Sequence, residues 1–185
     1  MVPSEWPHLG ILRIGGNSGT AGSFQYIGQQ LSSDTADASV YANGPWELHW
    51  IFRLNQTTNT VMQVGMKTAG NYQFSYDYGA GIRFDTNAGV GDTAFMFYAY
   101  GAAVTTGVAA DTNWHHLKIY WVSSNKIAMT LDGGAPKTAC PSGCDITAAL
   151  NNNDVAAADC GSDTVGSLTT VDLDYFGFVA TVGSR

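Results

Sequence analysis

The sequence predicts an all-β chain folded as a two-sheet antiparallel β-sandwich. Some ten short stretches alternate apolar and polar residues with period two, the signature of half-buried strands. Turn-forming runs of Gly, Asn, Asp and Ser separate them, and the chain holds 22 glycines. No helical period of useful length appears anywhere. The 185 residues suffice for one β domain with a sizeable core. Neither a repeat nor a linker is visible, so residues 1–185 read as a single domain, with 1–45 its least defined part.

Taken in order, Ile11, Leu12 and Ile14 form an early strand and Phe24 to Ile27 the next. Ser32 to Asn43 is a polar surface loop. Trp46 to Leu54 is the clearest strand, with Trp46, Leu48, Trp50, Phe52 and Leu54 on one face and Glu47, His49, Ile51 and Arg53 on the other. Asn55 to Asn59 turns the chain, and Thr60 to Met66 returns. Tyr72 to Tyr76 and Gly81 to Asp85 follow. Thr86 to Asp92 is a further turn, and Ala94 to Tyr100 is a strand of unusual aromatic load. His116 to Val122 and Lys126 to Asp132 then flank Ser123-Ser124-Asn125 as a hairpin. Leu117, Ile119 and Trp121 share one face with Ile127, Met129 and Leu131, and a second layer must cover them. Trp50 and Trp121 are both expected in the core. Gly134 to Gly166 reads as irregular, with a helical turn near Ile146 to Leu150. Val171 to Ala180 is the last strand.

Composition removes several functions. Charged residues are 12%, about half the usual share. The net charge is −7 with only 8 basic residues, so no cluster exists to bind the phosphates of a nucleic acid. No apolar run approaches the ~20 residues of a membrane helix, so no membrane partner is expected. The N-terminal residues lack the basic flank and apolar stretch of a signal peptide. Cys140 and Cys144 can close a tight loop, one of them can pair with Cys160, or all three can stay reduced.

Three motifs carry a resemblance. Thr105 to His115 (TTGVAADTNWH) leads into a strand pair ending in Asp132-Gly133. The early strand ends in Arg53-Leu54-Asn55, and the last begins Val171-Asp172-Leu173-Asp174-Tyr175-Phe176. Over roughly Trp46 to Val179 the chain resembles the concanavalin A-like lectin/glucanase superfamily, in particular its laminin-G-like branch. The GVAADTNWH and DLDYF stretches look like domains of bacteriophage tail-fibre and capsid-decoration proteins. The resemblance implies a jelly roll of two curved sheets whose concave face often binds carbohydrate. It implies a place on the virion surface, with other virion proteins or copies of the chain itself as partners and a surface glycan as ligand. For a free-standing lectin the place would be extracellular.

Catalysis finds little support. Glycoside hydrolysis needs two carboxyls flanking one bond, and the alternating acid string of the glucanases is absent. Asp172 and Asp174 alternate and so share a face. The expectation is that Asp174 accepts hydrogen bonds while Asp172 meets solvent. A polysaccharide lyase needs a base and a cation for the uronate, and His49, Arg53, His116, Lys118 and Tyr120 fall on alternating positions of two strands. His115 and His116 point to opposite faces and are no metal pair.

Sugar binding needs aromatic platforms beside planar polar groups. Tyr98, Tyr100 and Tyr120 are the candidates for the first, and His49, Arg53 and His116 for the second. No cofactor is required, although Asp85, Asn87 and Asp92 share a loop with the oxygen ligands that Ca²⁺ prefers. Turns use the same residues. The expected function is a non-enzymatic structural or adhesion module of a phage virion, with glycan binding as part of that role. The alternatives are a carbohydrate-binding lectin domain and a polysaccharide hydrolase or lyase.

Overall fold

The computed structural model of the chain describes residues 11–17, 24–30, 45–68, 79–86, 90–99, 101–123, 126–138, 154–161 and 168–180. Tyr72 to Tyr76, Asn87, Tyr100, Cys140, Cys144 and the turn expected near Ile146 lie outside these residues.

The described residues form eleven strands: β1 (Leu12–Asn17), β2 (Phe24–Gln30), β3 (Trp46–Leu54), β4 (Val61–Thr68), β5 (Ala80–Asp85), β6 (Ala94–Ala99), β7 (Ala102–Ala109), β8 (His115–Ser123), β9 (Lys126–Leu131), β10 (Asp154–Gly161) and β11 (Leu168–Ala180). They make two antiparallel sheets, ordered β1-β11-β3-β8-β9 and β2-β10-β4-β5-β6-β7. The architecture is the expected all-β sandwich. Among the described residues no helix is long and apolar enough to cross a membrane.

Alternation decides which side chains meet between the sheets. From the five-stranded sheet, Trp46, Leu48, Trp50, Phe52 and Leu54 of β3 point inward with Leu117 and Ile119 of β8. From the six-stranded sheet come Met62, Val64, Ile82, Phe84, Phe95 and Phe97. Phe52 meets Phe95 edge to face across the interface, their centroids 5.8 Å apart. Burying side chains of this size stabilises by about 1.5–3 kcal/mol each, so the core supplies the main force holding the layers together. The β8–β9 hairpin has the expected facing pairs, Leu117 with Leu131, Ile119 with Met129 and Trp121 with Ile127. Trp121, however, is only partly buried, at the margin of the core.

Two expectations are corrected. The alanine-rich stretch read as irregular is β10, paired on both sides by β2 and β4. Alanine is a poor strand former in isolation, but a place between two strands supplies the hydrogen bonds. In β11 the register jumps between Leu173 and Tyr175, so Asp174 is the extra residue of a bulge. The bulge flips the phase of the strand: Val171 and Leu173 face the core before it, Phe176 and Phe178 after it. Asp172, ahead of the bulge, sits opposite Arg13 and Arg53 and is buried rather than solvated. Cys160 is a free, buried thiol, pushed up to about 12 by burial.

Candidate functional site

The outer face of the five-stranded sheet gathers most of the sequence-selected residues. Glu47, His49 and Arg53 point outward from β3, as do His116, Lys118 and Tyr120 from β8. The register sets Glu47 opposite Tyr120, His49 opposite Lys118 and Ile51 opposite His116. Lys118 Nζ donates to Glu47 Oε1 at 2.6 Å, and His49 Nε2 lies 3.2 Å from Glu47 Oε2. His49 Nδ1 lies 3.0 Å from His116 Nε2. An ionised Glu47 only accepts, so it makes His49 Nε2 the donor and Nδ1 the acceptor of the His116 proton. The Lys118 hydrogen bond holds the Glu47 carboxyl below its ordinary range, against a smaller opposing effect of burial. Burial, and then the neighbouring His49, lower His116. Lys118 Nζ also sits 5.0 Å from the Tyr120 ring centroid.

Arg53 serves a second group. Its guanidinium lies 4.7 Å from the Trp114 ring centroid and donates through Nε and Nη2 to Asp172 Oδ2, at 2.9 and 2.8 Å. Arg13 of β1 grips the same carboxylate from the other side, at 2.6 Å to Oδ1 and 2.9 Å to Oδ2. These donors, Arg13 first, depress the Asp172 carboxyl. Asp172 is thus the counter-ion of two arginines. Glu47 stands six residues from Arg53 on β3, ~20 Å along the strand at ~3.4 Å per residue. That span is too long for the two carboxyls to act on one glycosidic bond.

Sequence reasoning missed Tyr175. The bulge turns it outward beside Ile51, with Gly177 next along beside His49. Its ring lies across Gly177: a β-carbon there would stand 2.3 Å from the Tyr175 hydroxyl oxygen and 2.7 Å from Cζ. Glycine leaves room for the ring over position 177, with 45% of the tyrosine exposed. The DYFGF run held the signal, a tyrosine followed two places on by the one residue without a side chain, but only the bulge reveals which way it faces.

Two other candidates are placed elsewhere. Tyr98 projects from the outer face of the six-stranded sheet and is fully buried, so it offers no ring to a surface ligand. Burial raises its hydroxyl well above the usual range. Asp85 is buried, as is the side chain of Asp92, and the Asp92 carboxylate accepts from Arg83 Nε and Nη2, at 3.2 and 3.3 Å, and from the Asp85 N–H at 3.1 Å. Burial raises Asp92 despite Arg83. Asp92 balances Arg83, no group of three or more His, Cys, Asp or Glu residues that could hold a metal occurs among the described residues, and Asn87, the third residue of the expected set, lies outside them. Near them, Gln63 is 1% exposed, and neither its amide oxygen nor its nitrogen has a hydrogen-bond partner.

His115 lies on the opposite side of β8 from His116, as expected. It is buried against Phe95 and Phe52, at centroid distances of 4.7 and 5.7 Å, and its nitrogens meet Asp132 Oδ2 at 2.7 Å and Asp111 Oδ1 at 3.0 Å.

No protein-family model matches the sequence, and no curated protein matches it. Solved structures do resemble it. A protein of unknown function from Shewanella oneidensis MR-1 superposes with a TM-score of 0.63 at 17% identity, over 100% of this chain and 75% of that one. The carbohydrate recognition domain of Emp46p, in metal-free form, gives 0.54 at 9% identity, over 91% and 86%. The fold is that of the concanavalin A-like sandwiches. Lectin I-B4 from Griffonia simplicifolia, also metal-free, gives 0.52 at 10% identity over 94% and 89%. At these identities the likeness concerns the fold, and function must be argued from side chains.

Proposed function

We propose that this jelly roll is a non-catalytic carbohydrate-binding module that takes glycan on the outer face of its five-stranded sheet. The observation that carries the reading is the exposed Tyr175 ring lying over Gly177. An exposed ring over the sheet surface can stack on the apolar face of a pyranose. Glu47, His49, Lys118 and Tyr120 beside it offer donors and acceptors to hydroxyl groups, the few placed polar groups that orient a ligand. The fold shared with a carbohydrate recognition domain and a lectin supports the same reading.

The alternative of a lyase would use the same face, where His49, Lys118 and Tyr120 lie together and Arg53 stands four residues from His49 along β3, ~14 Å away. Binding is favoured over it because both cations are already spent, Lys118 on Glu47 and Arg53 on Asp172. A glycan array followed by calorimetry tests the proposal. Tyr175→Ala should weaken binding tenfold or more, about 1.4 kcal/mol, with no unsaturated product released from uronate polymers. An unchanged affinity in that variant overturns the assignment of the face.

The finer setting we propose is a phage particle, with the module adhering to surface glycan or packing against virion proteins and copies of itself. It rests on the GVAADTNWH and DLDYF stretches and on the low charge of the chain. Co-purification with virions tests it, and absence of the chain from purified particles overturns it.

A further inference from the structure

We propose that His49 and His116 form a bidentate site for a divalent transition-metal cation, Cu²⁺ before Ni²⁺ and Zn²⁺. The two residues come from adjacent strands and their facing nitrogens are 3.0 Å apart. The ring planes differ by only 18° while the centroids are 5.2 Å apart. The rings therefore meet edge to edge, nitrogen to nitrogen, rather than face to face. One shared proton now lies on that line.

A cation can replace that proton by binding to one side of the line between the nitrogens. Two nitrogens at ~2.0–2.1 Å from a metal stand ~2.9 Å apart in cis positions of a square-planar or octahedral sphere, and ~3.4 Å apart in a tetrahedral one. The observed 3.0 Å is nearer the first, which Cu²⁺ and Ni²⁺ prefer, and Cu²⁺ heads the affinity order for nitrogen ligands. Binding needs each ring to turn by roughly 45°, since the nitrogens now face each other along one line and a cis pair of ligands converges at about 90°. It needs no net proton release when both rings are neutral, because His116 can move its proton from Nε2 to Nδ1.

The surroundings suit a cation. Glu47 accepts from the far nitrogen of His49, which is how a carboxylate commonly fixes a metal-bound imidazole and raises its basicity. Lys118, the nearest positive group on β8, is tied to Glu47 at 2.6 Å. Asp132 holds the His116 backbone N–H at 2.8 Å and adds negative charge. The face is open to solvent, so water completes the coordination sphere. The site does not depend on the glycan reading, since Tyr175 contributes no ligand to it.

The test uses the whole chain with Cu²⁺, Ni²⁺ and Zn²⁺ in turn, by calorimetry and, for Cu²⁺, by electron paramagnetic resonance. The expected result is one equivalent bound in the order Cu²⁺, Ni²⁺, Zn²⁺, with splitting from two imidazole nitrogens. His49→Gln and His116→Gln should each weaken it tenfold or more, whereas His115→Gln, on the other side of β8, should not. A thermal scan of each variant separates loss of ligand from loss of fold. Undiminished binding by a folded double variant, or a spectrum with a single nitrogen, overturns the proposal.

Discussion

Asp132 Oδ2 lies 2.7 Å from Nδ1 of His115, at the end of the hairpin that the sequence marks most clearly. Burial pulls the His115 pKa down, but the hydrogen bond and charge of Asp132, and then of Asp111, outweigh it, and the net shift is upward from 6.5. Folded His115 thus keeps its proton at a pH where the unfolded chain has begun to lose it. The stability this provides is complete below about 6.5 and is lost as the pH climbs through the raised value. His115→Gln should cost about 1–3 kcal/mol at low pH. Urea unfolding between about pH 6 and 9 should then show less decline with pH in the variant than in the parent. Parallel curves would mean that the imidazole is held neutral.

The opposite sign applies at Asp172. Its depressed pKa means that the stability from Arg13 and Arg53 is present above the ordinary carboxylate range and lost as the pH falls through the lowered value. Both arginines are substantially exposed, 60% and 36%, while the Asp172 side chain is 3% exposed. Asp172→Asn should therefore cost about 1–3 kcal/mol at neutral pH, and less as the solution is acidified. A gap that stays constant down to acid pH would assign the cost to packing.

These two carboxylates mark the boundary of what was legible. Alternation places His115 and His116 on opposite faces, and it places Trp46 to Leu54 correctly because a strand with one buried face repeats every second residue. It also places Asp172 on the outer face, but it does not say that Arg13 and Arg53 close over the carboxylate there and bury it; the bulge resets the phase only beyond Leu173, and no composition signal announces it. The same bulge hid Tyr175. Tyr98 was misjudged for another reason. Period two separates the faces of a strand but does not say whether the outer face is itself covered. The His49–His116 contact needs the β3–β8 register, which no single strand contains.

Gly177 offers a test of the platform that leaves the tyrosine in place. A β-carbon at 177 would overlap the Tyr175 ring. The ring is exposed and can swing away, so Gly177→Ala should change stability by less than ~1 kcal/mol, in the range of ordinary surface substitutions. Glycan affinity should fall nearly as far as in Tyr175→Ala. If Gly177→Ala binds like the parent, the position of the ring over Gly177 has no role in recognition.

Gln63 predicts a gain. Its amide is buried with both polar atoms unpartnered, and such groups cost about 1–3 kcal/mol in lost hydration. Gln63→Met keeps the length of the side chain and removes that cost, so the midpoint of chemical denaturation should rise, by about 1–2 kcal/mol in stability. A loss instead would indicate that a bound water or ligand satisfies the amide.

Trp50 and Trp121, alike in the sequence, should separate on truncation. Trp50 is 5% exposed and packs on Phe176 at 4.8 Å between centroids. Its removal in Trp50→Ala leaves a cavity under the middle of β3, at about 3–5 kcal/mol. Trp121 is only partly buried at the core margin, where the surroundings can relax, so Trp121→Ala should cost visibly less. The Trp50 indole nitrogen is buried without a hydrogen-bond partner. Trp50→Phe therefore sacrifices volume but no hydrogen bond, and should recover most of the loss, ending within about 1.5 kcal/mol of the parent. Thermal or urea unfolding of the three variants checks the order. If Trp50→Phe proves as damaging as Trp50→Ala, the indole N–H has a partner in solution and the core at β3 is wetter than its packing indicates.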